Sequence, residues 1–178
     1  MVRTRSGPGG SSLKYSLSVR WFLLMNIDEK FMNFALLEAK KAFDNDEVPV
    51  GAVLVCNNEI VATGYNTRES ENNICGHAEI NCLLNAGKKL KSWRFEDCVL
   101  YVTLEPCPMC ASAIQQAKIK RVVYGASDEK NGACGGLFDF FLTPKLNHYP
   151  FVTSDVLKDE CEDILKEYFK QKRKGIKF

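Results

Sequence analysis

The sequence predicts an α/β fold of three layers, with helices covering both faces of a central sheet of about five strands. Three observations lead there. Short valine-rich runs alternate along the chain with stretches whose apolar residues recur at helical spacing. The first two runs are close enough to pair as a hairpin, and the later ones are separated by helices, an order that buries a sheet on both sides. A chain of 178 residues, 46% hydrophobic and 26% charged, suits one globular domain of that size.

Asp28 is a fair N-cap for a first helix whose apolar face is Phe31, Phe34, Ala35, Leu37, Ala39, Ala42 and Phe43. After a polar break at 44–49, residues 50–56 form a buried strand. Asn57-Asn58 signals a turn, and 59–65 return as the second strand of a hairpin. Residues 66–76 are polar and irregular, as a loop should be. A helix over 77–86 is expected to end at Gly87. Residues 98–104 are an apolar strand. Pro106 and Pro108 suit a helix that starts near Cys107 and runs to about Lys118, because proline is tolerated in a first turn. A fourth strand follows at 121–125, then a glycine-bearing loop at 127–136. A short helix over 137–142 and a fifth strand at 151–153 complete the sheet layer. Ser154 or Asp155 is the expected cap of a last amphipathic helix reaching about Lys172.

Residues 1–24 stand apart. They carry Arg3, Arg5, Lys14 and Arg20, no acid, five serines and the stretch GPGGSS. They read as a leader, tag or disordered extension ahead of a start at Met25. An organelle transit segment and a short signal peptide are the other readings. The folded domain is expected over 25–178, without internal repeat or second domain.

A net charge of +2 says almost nothing about partners, and no run approaches the ~20 apolar residues that span a bilayer. Eight cysteines are present. Several, among them Cys56, Cys82 and Cys98, sit in apolar runs where a free thiol behaves as a small hydrophobe. A reducing cytoplasm with one metal site accounts for the set better than a disulfide framework.

Two segments carry the chemistry. His77-Ala78-Glu79 and Pro106-Cys107-Pro108-Met109-Cys110 each open a helix. A C-x-x-C pair can grip tetrahedral zinc, and a helix N-terminus favours its thiolates. His77 can be the third ligand. Three protein ligands leave a fourth position for water, which marks a catalytic rather than a structural site. Glu79 is badly spaced to join His77 as a ligand, since residues two apart do not share a helix face. Looking out of the same first turn, it is placed to move a proton.

HAE followed by PCPMC resembles the cytidine deaminase-like zinc deaminases. EVPVGAVLV (47–55), GYN (64–66), HAEIN (77–81), LYVTLEPCPMC (100–110), RVVYGASDEKNGA (121–133) and the pair Asn147-His148 are similar to the tRNA-specific adenosine deaminase branch, over about residues 28–173. The resemblance implies a cytidine deaminase-like three-layer α/β/α fold with a mixed sheet. It implies one Zn2+ per subunit on His77, Cys107 and Cys110, with Glu79 carrying protons while C6 of adenine is hydrolysed and ammonia leaves. Asn66 would hydrogen-bond the flipped base. Asp128, Lys130 and Asn147 would lie along the RNA backbone or ribose, and Ala78 and Pro106 complete the expected substrate contacts. The implied partners are a tRNA anticodon stem-loop, with adenosine at the wobble position of arginine tRNA, and a second copy of the chain in a homodimer, without a membrane. Cys75, two residues before His77, departs from the pattern.

The end of the chain adds a hint from the residues themselves. Between 166 and 178, Lys166, Lys170, Lys172, Arg173, Lys174 and Lys177 stand against Glu167 alone, interleaved with Tyr168 and Phe169. Basic and aromatic side chains together suit phosphates and a stacked base. Competing functions are a deaminase of a free base or nucleoside such as guanine or cytosine, a silent RNA-binding subunit, and a structural zinc module. A silent subunit could dispense with Glu79, and a structural module needs a fourth protein ligand, for which Cys75 and Cys82 have no convincing spacing.

Overall fold

A computed structural model describes residues 26–175; the expectations for residues 1–24 lie outside it. The elements are α1 (Ile27–Asp44), β1 (Gly51–Cys56), β2 (Glu59–Tyr65), α2 (Ala78–Leu90), β3 (Cys98–Leu104), α3 (Pro108–Gln116), β4 (Arg121–Ala126), a 3-10 turn (Phe140–Leu142), β5 (Phe151–Thr153) and α4 (Lys158–Arg173). The five strands form one sheet in the order β2-β1-β3-β4-β5. β1 is antiparallel to β2 and β3, while β4 runs parallel to β3 and β5, so the sheet is mixed.

Strand alternation sorts the core into two halves. Ala52, Leu54, Leu100, Val102 and Val122 point to one face, where Ala78, Cys82 and Ala86 of α2 and Ala111 and Ile114 of α3 cover them. Val53, Val55, Tyr101 and Val123 point to the other, against Phe31, Met32 and Ala35 of α1 and Cys161 and Leu165 of α4. Because side chains alternate with a period of two, a one-residue slip would exchange these two cores. The predicted three layers are therefore present.

Several boundaries differ from expectation, each for a local reason. Asn26, not Asp28, caps α1, its side chain accepting from the Asp28 amide at 3.1 Å. Asp28 is buried and works across the sheet: Tyr101 donates to it at 2.8 Å, and Arg121 donates to both its carboxylate oxygens at 3.0 and 2.7 Å. Gly87 does not end α2. The helix runs on to Leu90, and Lys91 takes the left-handed cap with φ 51°. The short helix expected over 137–142 shrinks to the 3-10 turn, begun by Asp139. α4 starts behind Leu157 rather than Ser154 or Asp155, although Asp155 still reaches its first turn by pairing with Lys158 at 3.2 Å.

Two cysteines expected as free core thiols are joined. Cys56 and Cys98 are register partners at the ends of β1 and β3, with Cα atoms 4.4 Å apart, and they form a disulfide. Nothing in their apolar flanks revealed a pairing that only the strand register creates. Cys82 is a buried free thiol, as expected.

Candidate metal and catalytic centre

The parallel strands β3 and β4 end side by side, and the cleft opens beyond their carboxyl ends, where open α/β sheets characteristically hold ligands. Its volume is about 670 Å³. α2 and α3 aim their N-termini into it. His77 is the N-cap of α2 and Cys107 the N-cap of α3, with Pro108 at the first helical position. Both cap residues have extended backbones and neither side chain caps its own helix, so imidazole and thiol are free to face each other. Cys110 sits fully buried in the first turn of α3.

His77 Nδ1 lies 3.6 Å from Cys107 Sγ and 3.5 Å from Cys110 Sγ, and the three donor atoms fall within 4.8 Å of one another. Zinc–nitrogen and zinc–sulfur bonds of about 2.1 and 2.3 Å at tetrahedral angles would set such donors about 3.6 Å apart. The spacing and the chemistry of the donors both fit zinc. Cys75 is exposed and stands outside the group.

The electrostatics follow from this crowding. The Cys110 thiol beside it, with His77, holds the Cys107 thiol down to about 4, while Cys110 itself is pushed up by Cys107 and by burial. The hydrogen bond that the protonated His77 imidazole donates to the Cys107 sulfur raises His77. Glu79, 4% exposed, is pushed up to about 7, chiefly by burial. A carboxyl poised near neutrality can both take and return a proton.

Asn66, His77, Ala78, Glu79, Cys107, Asp128, Lys130 and Phe169 all line the cleft. Pro106 is buried behind it and accepts a backbone hydrogen bond from Ala133 at 2.8 Å. Asn147 is not part of the lining: its side-chain oxygen accepts from Gln115 and, at 2.6 Å, from Lys118. Asp128 has structural work as well, since its Oδ1 accepts from the amides of Lys130 and Asn131 at 2.9 and 3.0 Å.

The basic tail is less free than its composition suggested. Lys166 pairs with Glu162 at 2.7 Å, Lys170 with Glu167 at 3.6 Å and Lys172 with Asp46 at 2.5 Å. These acids lie a turn away or across the fold, so counting charge over 166–178 missed most of them. Tyr168 is buried and donates to the Asp46 carbonyl at 2.9 Å, leaving Phe169 as the aromatic at the cleft.

Sequence reasoning gave no role to Glu47 and Glu105, although both lie in quoted motifs. They are 1% and 3% exposed, and each accepts three N–H groups. For Glu105 a lone acid at the end of an apolar strand was the available signal, because fully buried carboxylates need partners; Glu47, in the polar stretch after Asp44 and Asp46, gave none. Arg68 also lines the cleft unforeseen.

Residues 25–126 match the family model of the cytidine and deoxycytidylate deaminase zinc-binding region, which takes in His77, Glu79, Cys107 and Cys110. The tRNA-specific adenosine deaminase of Bacillus subtilis (strain 168) is 46% identical over 153 residues, spanning 86% of this chain and 95% of that protein. That of Haemophilus influenzae is 47% identical over 151 residues, 84% and 87% of the two chains. A solved structure from a study of A-to-I editing by tRNA:A34 deaminases at the wobble position superposes with a TM-score of 0.74 at 43% identity, covering 76% of this chain and 99% of the other.

Proposed function

The chain belongs to the cytidine and deoxycytidylate deaminase family, and from that premise we propose that it hydrolyses adenosine to inosine in transfer RNA. The observation that carries this reading is likeness to tRNA-specific adenosine deaminases over nearly their whole length, with the zinc donors and the buried acid gathered under one cleft. Zinc held by His77, Cys107 and Cys110 supplies, when bound, the Lewis acidity that makes water a nucleophile at neutral pH.

The chain's own groups do the rest. Water adds at C6, the bond from C6 to the exocyclic nitrogen breaks, ammonia leaves and a carbonyl remains. Glu79 takes one proton from the attacking water and places it on a ring nitrogen, then takes the proton of the new C6 hydroxyl and gives it to the departing amine. Asn66 hydrogen-bonds the extruded base. Lys130 and Asp128 hold backbone or ribose at the rim, and Phe169 offers a ring for stacking. Ala78 leaves room beside Glu79 for the base.

The adenosine is proposed to be the wobble residue of arginine tRNA, and the enzyme a cytoplasmic homodimer in which each partner helps shape the other's RNA groove. Exposed Leu137, Phe138 and Leu142, beside the cleft loop, support a partner chain there. Among the described residues no helix is long and apolar enough to cross a membrane. The Cys56–Cys98 bond gives a check on the compartment, because disulfides are rare in a reducing cytoplasm. Thiol labelling of protein quenched inside cells should find that bond reduced; an intact bond would contradict a cytoplasmic home.

The test of activity is inosine formed within an arginine-tRNA anticodon stem-loop by purified, zinc-loaded protein, with free adenosine, guanine and cytosine as separate substrates. Inosine in the stem-loop supports the reading. Turnover of a free base alone would overturn the RNA assignment while keeping the zinc chemistry.

A further inference from the structure

The two loops that wall the cleft contain almost no regular structure, yet each is fastened to a buried carboxylate that sits outside the metal centre. Glu105 follows β3. Its Oε1 accepts from the amides of Cys134 and Gly136, both at 2.8 Å, and its Oε2 from the amide of Asp128 at 2.9 Å. One side chain thus gathers three points of the loop that presents Asp128 and Lys130. The loop closes tightly enough to require glycine. A Cβ on Gly132 would lie 2.3 Å from the Glu105 carboxyl carbon, and one on Gly136 would lie 2.5 Å from its Oε2.

Glu47 repeats the arrangement on the other loop. Its Oε2 accepts from Asn66 Nδ2 at 3.2 Å and the Glu69 amide at 3.1 Å, and its Oε1 from the Ser70 amide at 2.6 Å. Asn66 and Arg68 both face the cleft from this segment. An ionised carboxylate only accepts, so it fixes which end of the Asn66 amide turns toward Glu47. Hydrogen bonds to a charged acceptor are about twice as strong as neutral ones, and three on a buried acid leave no oxygen wanting a partner.

We propose that Glu47 and Glu105 are positioning residues that hold the two substrate-binding loops in register over the zinc centre, touching neither the metal nor the reacting atoms. This rests on the tRNA deaminase reading for its substrate, but the loop fastening itself does not. Removing one acceptor oxygen leaves the chain folded and zinc bound, while the groups that receive the RNA lose their alignment. Misplacement by an ångström can cost about 10²-fold in rate, so kcat/KM for the stem-loop falls by about that factor in Glu47→Gln or Glu105→Gln. Most of the loss is carried by KM.

The test combines amide hydrogen exchange with steady-state kinetics. In the wild-type protein the amides of Glu69, Ser70, Asp128, Cys134 and Gly136 should be protected like sheet amides. In Glu105→Gln, faster exchange should be confined to the loop after β4, and in Glu47→Gln to the loop after β2, with zinc content unchanged. Gly136→Ala attacks the Glu105 contact from the loop side and should reproduce the Glu105→Gln exchange and kinetic pattern. Unprotected loop amides in the wild type, or folded zinc-bound variants with unaltered kcat/KM, would overturn the proposal. A wild-type protein that fails to edit the stem-loop would instead defeat the tRNA reading, and the exchange pattern alone would then decide the fastening.

Discussion

His77 and Cys107 owe their places to features a few residues long, whereas Asn66 and Asp128 are placed by carboxylates 19 and 23 residues away in sequence. The metal donors stand where helices begin, Cys107 just after β3 with a proline at the first helical position and His77 as the N-cap of α2. The cleft walls stand on loops, whose backbone groups must find partners wherever the fold brings them. On the proposed function the difference separates two jobs: one part of the site supplies fixed donors for a metal and a proton, the other a rim shaped for a particular substrate.

Variants of the two regions should therefore fail in different ways. The largest effect belongs to the metal: His77→Ala should lose zinc in a metal assay and with it all measurable inosine formation. Full zinc occupancy in that variant would break the donor set. Next comes Glu79→Ala, expected to keep zinc and fold while turnover drops by about 10⁴-fold, the upper range for a general acid–base group. Retained turnover would remove Glu79 from proton transfer.

The loop variants Glu47→Gln and Glu105→Gln fall below these, with the KM-weighted loss described above. Phe169→Ala should be milder still, raising KM for the stem-loop about tenfold, since stacking of a base on an aromatic ring contributes about 1–3 kcal/mol. An unchanged KM would take Phe169 out of the substrate site. The smallest change is expected from Lys166→Ala with Lys170→Ala. Both lysines already pair with acids of α4, so the dependence of stem-loop affinity on salt should shift by less than about one phosphate contact. A larger shift would restore the basic tail as an RNA clamp.

The same division explains what was legible in the sequence. The strands were readable because alternation and β-branched runs are local, and all five occur where expected. The donors were readable because C-x-x-C and the histidine before a helix are compact patterns. The hidden parts depend on contacts across the fold. Cys56 and Cys98 looked like core thiols until register set them opposite each other. Asp28 looked like a cap until Arg121, 93 residues on, proved to be its partner. The partners of the Asn147 side-chain oxygen, Gln115 and Lys118, were equally hidden, 32 and 29 residues away in sequence. Lys166 and Lys172 looked unopposed because their acids, Glu162 and Asp46, lie upstream in α4 and on the segment after α1.

The most direct test of the account is a competition. Zinc-loaded protein is given an arginine-tRNA anticodon stem-loop together with equimolar free adenosine, guanine and cytosine, and every product is quantified over time. The account predicts inosine at the wobble position of the stem-loop while the free compounds remain intact. Consumption of a free base or nucleoside ahead of the stem-loop would contradict it.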